Sequence, residues 1–309
     1  MNGFLNISKQ KINITTKMKI SYGIIVLNGD FLLKQVLESI YDSAHAICIA
    51  EGSVKYWREQ CVINSTDDTI KIIKEFPDKD KKIRLVQGTW NEKKEQCEAW
   101  FNLVPSDTDY VWCVDSDEVH TAENIEKVKQ YLDDKKPTSV GFQSDSFYGG
   151  FDRIIGGFEK EHSFKRILEY KKYSTYLTHR QPTLALNGYP IRGNDILGSQ
   201  LFKDTGVAMW HGSYVSPKQV YEKIKYYESA VISKGNCIPN YFKDVFLEWV
   251  MFPEKRESIE KKWNGVQEFM PKARGECFTE AYNREHPEII MRDMSELISK
   301  FDKQLKEYL

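Results

Sequence analysis

Apolar positions follow two periods along the first half of the chain. Ser21 to Leu27 and Ala46 to Ala50 are short, β-branched apolar runs of the kind a strand buried on both faces shows. Between them Leu33, Val36, Leu37 and Ile40 recur at helical spacing. The alternation continues with a helix at Ile70 and Ile73 after the cap-like Ser65-Thr66-Asp67-Asp68, then a strand at Ile83–Val86. A helix over 91–104, a strand at Tyr110–Val114, a helix marked by Ile125, Val128 and Leu132, and a strand at 139–143 complete the series. Strands alternating with helices in this way predict an α/β fold, an open and mainly parallel sheet covered on both faces with right-handed crossovers. Ligands on such sheets gather at the carboxyl ends of the strands, where Asn28, Glu51, Gln87 and Asp115 fall.

The stretch from Ser144 to Gly212 has paired glycines, many tyrosines and few clean periods, and predicts loops and irregular strands. From Ser216-Pro217, an N-cap and N1 pair, Val220, Ile224, Tyr227 and Val231 trace one helix face. Met294, Leu297, Ile298, Phe301 and Leu305 trace another, so the last third reads as mostly helical. The 309 residues, 41% of them hydrophobic, can bury a real core, which excludes a disordered linker. A net charge of -1 supplies no chain-wide cationic field for nucleic acid or an anionic membrane. No apolar run nears the roughly 20 residues a bilayer span needs. The first residues lack a secretory pattern, and six scattered cysteines without a C-x-x-C pair fit reduced thiols, so a cytoplasmic, soluble or membrane-peripheral protein is expected. The glycosylation-like triplets at Asn6, Asn13 and Asn64 carry no weight in that setting.

The sharpest candidate chemistry is Asp115-Ser116-Asp117-Glu118, directly after an apolar strand. Residues i and i+2 of an extended segment face one side, so Asp115 and Asp117 can present two carboxylates to one hard cation such as Mg2+ or Mn2+. The plain alternative is that these acids solvate a turn and cap the helix that begins near Thr121. His211, after Met209-Trp210, is either a satisfied half-buried histidine or a metal ligand through its neutral imidazole. His45, His120, His162 and His286 have no partner pattern and take the plain reading.

In order, the Tyr22–Leu27 run with Asn28, the turn Glu51-Gly52-Ser53, Ser65 to Thr69, Lys93-Lys94 and Tyr110 to Glu118 resemble family 2 glycosyltransferases of the GT-A fold, over roughly 19–150. Trp210 to Ser216, followed by Lys223, Lys225 and Tyr226-Tyr227, looks like the closing segment of the branch that includes bacterial lipopolysaccharide-core glucosyltransferases. The resemblance implies a Rossmann-like GT-A catalytic domain over 19–215, with a nucleotide-binding half 19–120 and an acceptor-side half 121–215. A loose lead, 1–18, would precede it and a helical C-terminal subdomain, 216–309, would follow. It implies that Asp117, with His211, binds Mn2+ or Mg2+, and that Asp115 and Ser116 meet the ribose and the ion's water shell. Leu27 and Asn28 would line the nucleotide, Glu51 would face the base, Asp67 would support it, and Lys94 would meet the diphosphate. The donor implied is a nucleotide sugar, a UDP-sugar ahead of a GDP-sugar, and the acceptor a glycan, lipid-linked or protein hydroxyl attacked with inversion.

The His-Glu pair of that branch has Thr178-His179-Arg180 as its nearest match, so the expected catalytic glutamate is missing. Asp195 and Asp145 are the replacement candidates, although each is also an ordinary turn residue. Two rivals stand beside this reading. One is a degenerate GT-A module that binds without turnover. The other is a haloacid-dehalogenase-type phosphatase, with Asp115-Ser116-Asp117 as nucleophile motif and Asp195 as its late acid. The C-terminal helices have three open uses: shaping the acceptor site, joining a homodimer, or docking on a membrane surface.

Overall fold

The computed structural model describes residues 18–229, 235–270 and 275–309. The lead before Met18, the triplets at Asn6 and Asn13, and Val231 lie outside the described residues.

Strands β1 (Ile20–Val26), β2 (Ala46–Val54), β3 (Ile83–Trp90) and β4 (Tyr110–Cys113) stand where the apolar runs predict them. Helices α1 (Leu33–Tyr41), α2 (Lys55–Glu59), α3 (Thr69–Glu75) and α4 (Lys93–Phe101) connect them. After the two-residue β5 (Glu118–Val119), α5 (Ala122–Lys135) starts with Thr121 Oγ1 accepting from the Asn124 amide at 3.1 Å. It ends at Lys136 in the left-handed region. Next comes β6 (Ser139–Phe142).

The stretch expected to be irregular holds most of the remaining elements. These are β7 (Ser144–Tyr148), β8 (Arg153–Ile155), α6 (Phe158–Glu161), β9 (Phe164–Glu169), β10 (Thr175–Thr178), β11 (Thr183–Leu186), β12 (Tyr189–Pro190), β13 (Asp195–Ile196) and α7 (Gly198–Thr205). β14 (Met209–Tyr214), α8 (Pro217–Ser229), several short helical turns, β15 (Thr279–Ala281) and a long helix, Glu288–Lys306, complete the chain.

The main sheet has seven strands in the order β13-β6-β9-β4-β1-β2-β3. The pairs β3·β2, β2·β1, β1·β4 and β6·β13 are parallel, while β9 runs antiparallel between β4 and β6. This is the α/β architecture the periodicity predicts, a mainly parallel sheet flanked by helices. A second sheet, β15-β8-β7-β14-β5, stands at its carboxyl end, and β10-β11-β12 form a small antiparallel sheet. The core joins Ile24, Leu37, Trp112 and Phe142 to Ile290 and Leu297 of the long last helix, so that helix shares the core of the sheet. No helix among the described residues is long and apolar enough to cross a membrane.

The fit of α4 against β1 depends on one missing side chain. Trp100 of α4 is buried with its ring over Gly23, where an added Cβ would overlap the ring carbons. Gly23→Ala is therefore expected to lower stability by about 1–3 kcal/mol through overpacking. Urea unfolding measures it, and an unchanged midpoint would mean that the indole has room to move.

Candidate active site

β4 delivers the acidic turn. Its three neighbours in space, β1, β9 and the β5–β14 pair, then fix the carboxylates. The Asp115 amide donates to Glu118 Oε2 at 3.1 Å and the Glu118 amide to Asp115 O at 3.1 Å, which folds Glu118 back beneath the turn and out of solvent. Arg166 reaches that carboxylate from β9. Its Nε donates to Glu118 Oε1 and Oε2 at 3.0 and 3.1 Å, and its Nη2 donates to Asp115 Oδ2 at 2.7 Å and to Glu118. The ladder between β6 and β9 steps from Val140↔Ile167 to Gly141↔Lys165, so Arg166 is the extra residue of a bulge and is turned out of register toward the turn. Burial raises the Glu118 carboxyl to about 6, against the pull of Arg166. Burial works the other way on Arg166, yet Glu118 and Asp115 outweigh it and hold the guanidinium charged.

β5 pairs antiparallel with β14, setting Glu118 opposite His211 and Val119 opposite Trp210. The Gly212 amide donates to Asp117 O at 2.8 Å, and His211 Nε2 comes to 3.4 Å from Asp117 Oδ1. Burial alone would raise the Asp117 carboxyl, but the adjoining imidazole brings it down to about 2. Burial opposes the charge on His211 as well, and Asp117 more than offsets it, so the imidazole pKa is raised. One ligand atom each from Asp115, Glu118 and His211 lie within 4.8 Å of one another.

These groups stand in a cleft of about 340 Å³ whose walls include Leu27, Lys93, Ser116, Glu159, Glu222 and Lys223. Beyond Asp115 and Arg166 a second lobe of about 520 Å³ continues past Phe158 and Tyr176 to His179 and Arg180.

Residues 63–187 match the family model described as glycosyl transferase family 2. Over that segment the chain is similar to family 2 glycosyltransferases, and it is a glycosyltransferase. Its fold is GT-A, with the acidic turn at the carboxyl end of β4. Similar solved structures include S. aureus TarS 1-349, at 12% identity and a TM-score of 0.39, covering 80% of this chain and 74% of that one. S. aureus TarS 1-349 in complex with UDP-GlcNAc is another, at 13% identity and a TM-score of 0.40, covering 77% and 73%. At these scores the likeness adds nothing to the fold already described. No curated protein matches the chain.

In this glycosyltransferase Leu27, Asp115, Ser116, Asp117 and His211 share the cleft, as expected of them. Asn28, Glu51 and Asp67 are absent from its lining and build the wall behind it. Asn28, in the left-handed region at φ 54°, accepts from the Thr66 amide at 2.9 Å and donates to Glu222 at 3.2 Å. Glu51, with no exposed surface, accepts from the Ser65 amide at 2.7 Å and from Gln87 Nε2 at 3.0 Å. Asp67 accepts from the Thr69 amide at 3.0 Å and from the Asp30 amide at 3.3 Å. Their polar atoms are spent on the turn over 63–69 rather than presented to the cavity.

Three further expectations are corrected. Lys94 pairs with Glu98 at 2.9 Å along the outer face of α4, whereas Lys93, one helical step of roughly 100° away, points into the cleft. Asp145 is buried on β7 in an ion pair with Arg284, in a different depression. Asp195 sits on the edge strand β13, where its Oδ1 accepts from Ser139 Oγ at 2.6 Å. Neither aspartate lines the cleft, so Asp195 does not stand where the phosphatase pattern would need its late acid. Glu118 belongs to the acidic run singled out in the sequence, but its partner Arg166 was not expected there, although an arginine between Phe164 and Ile167-Leu168 was a usable signal.

The raised pKa of His211 has a sign. The Asp117–His211 pair adds stability that is fully present below the unfolded value of 6.5 and is lost as pH climbs through the raised value. Melting temperatures in EDTA should fall as pH rises above 6.5, with that component of the fall gone in His211→Gln. Parallel profiles for the two proteins would refute the pairing.

Proposed function

We propose that the protein is a metal-dependent, inverting transferase that moves a sugar from a nucleoside-diphosphate sugar to an acceptor hydroxyl. The observation that carries this reading is the meeting of Asp115, Asp117 and His211 in one cleft at the carboxyl end of the central strand. A carboxylate kept ionised down to about 2 and an imidazole nitrogen 3.4 Å from it form a donor set that suits Mn2+ or Mg2+. Asp117 and His211 would hold the ion, with Asp115 beside them, while Glu118 is already taken by Arg166. A bound ion supplies Lewis-acid stabilisation of the departing diphosphate.

The chain's own groups support the rest. Lys93 and Lys223 present ammonium groups to the cleft, where charge grows on the leaving group. Lys223 is aimed by its bonds to Ser213 O at 2.9 Å and Ser213 Oγ at 2.7 Å. Trp57 and Val54 offer an apolar wall to a nucleoside. With Asp145 and Asp195 elsewhere, we assign the base to Glu159 of α6, a cleft carboxylate whose neighbour Phe158 lines the second lobe. Glu159 would take the proton of the acceptor hydroxyl as that oxygen attacks the face opposite the leaving group.

Thermal unfolding against UDP, GDP, CMP and dTDP, each with and without Mn2+, tests the donor site, UDP first. A nucleotide at 100 times its dissociation constant adds about 2.7 kcal/mol. The expected shift needs Mn2+ and vanishes in Asp117→Ala, and the absence of a shift with every nucleotide would sink the donor reading. Glu159→Gln should lower donor turnover about a hundredfold or more while leaving the nucleotide shift intact. Unchanged turnover in that variant would remove Glu159 as the base. Nucleotide binding without any turnover by the unmodified protein would leave a silent binding module.

A further inference from the structure

The second lobe has a one-sided charge. Lys93, Lys165 and Arg180 face it, and none of the three has an ion-pair partner among the described residues. The Arg166 charge is spent on Asp115 and Glu118, and Asp115 is the lone carboxylate on the lobe's wall among the described residues. Arg180 is exposed while Lys93 and Lys165 are half-buried, and half-buried cations without counter-charges are costly unless an anion joins them. Burial accordingly lowers the Lys93 pKa, with Asp115 opposing it only in part.

The surface leading into the lobe repeats the pattern. From Tyr170 to Asn194 the chain carries Lys171, Lys172, Arg180 and Arg192 and no aspartate or glutamate, in a protein whose net charge is -1. This segment folds as the β10-β11-β12 sheet. Tyr173 and Tyr189 there are each 77% exposed, flat apolar faces of the kind a sugar ring can rest on. Inside the lobe Tyr176 and Trp100 meet edge to face at 5.5 Å and form an aromatic floor.

We propose that the lobe and the adjoining β10–β12 surface bind an anionic acceptor, a saccharide bearing phosphate or carboxylate groups, through Arg180 and Lys165, with Lys93 at the junction with the cleft. This rests on the transferase reading above and names the acceptor class for it. A bilayer of anionic lipid is the lesser fit. Lys93 and Lys165 lie inside a concavity that continues into the cleft at Asp115, where a saccharide chain can enter and a flat headgroup layer cannot.

Calorimetric titration of the full chain compares three oligomers of matched length: maltohexaose, oligogalacturonate and a phosphodiester-linked glycerol oligomer. At least one anionic oligomer should bind more tightly than maltohexaose, and more weakly at high salt. Arg180→Gln and Lys165→Gln should each weaken it about tenfold. The oligomer preferred separates phosphate from carboxylate. The UDP–Mn2+ shift, measured on the same variants, should stay as in the unmodified protein. Its loss in the unmodified protein would strike the donor reading and not the charge of the lobe. The proposal is overturned if maltohexaose binds equally well, if neither anionic oligomer binds, or if both variants bind as the parent does. It is also overturned if phosphatidylglycerol vesicles compete with the oligomers through Lys171 and Lys172 alone.

Discussion

One guanidinium between two carboxylates organises this molecule. Glu118 has no exposed surface, and at that depth a lone carboxylate would give up its charge or leave. Arg166 lets it stay, and in doing so fixes the backbone of the acidic turn, because Glu118 also accepts from the Asp115 amide. The same guanidinium holds Asp115, so the direction of the first aspartate and the fold of the turn are one constraint. Buried ion pairs of this kind add little net stability, but they specify one arrangement over others. Here the specified arrangement is a cleft floor. β9, antiparallel between β4 and β6, brings Arg166 beneath the turn.

The opposite wall of the cleft is built in a similar way. Asn28 after β1, Glu51 within β2 and Asp67 before α3 each turn polar atoms toward backbone amides of the segment over 63–69, the Asp30 amide or neighbouring side chains. These residues shape the cavity only through the wall they hold up. The groups facing the cavity come from farther apart in sequence and include Leu27, Lys93, Asp115, Ser116, Asp117 and His211.

That division explains what the sequence made legible. Strands β1, β2, β4 and β6 lie in an interior where burial dictates an unbroken apolar run, and the helices between them keep a 3.6-residue period. The half-exposed edge strand β3 still shows Ile83, Leu85 and Val86, so the positions of these elements could be read directly. The acidic turn was legible for the same reason, as charge placed abruptly after such a run. β9 was hidden because a strand carrying Lys165 and Arg166 breaks the pattern a central strand is expected to show, and the reason for the break lies across the sheet. Lys93 and Lys94 are indistinguishable until the phase of α4 is known. The placement of Asp145 and Asp195 depended on pairings with Arg284 and Ser139, 139 and 56 residues away, which no local rule reaches.

The late arrival of β9 also orders the events of synthesis. The chain from β1 through β4 and α5 can collapse as soon as it emerges, but β4 then has only β1 beside it. Its other edge stays open until Phe164–Glu169 has been made, several seconds later at roughly 5–20 residues per second. An open, apolar, central strand edge is the kind of surface that recruits other chains. The nascent protein therefore passes through a window in which a buried central strand keeps an open edge, and the segment that closes this window carries the arginine that fixes the acidic turn.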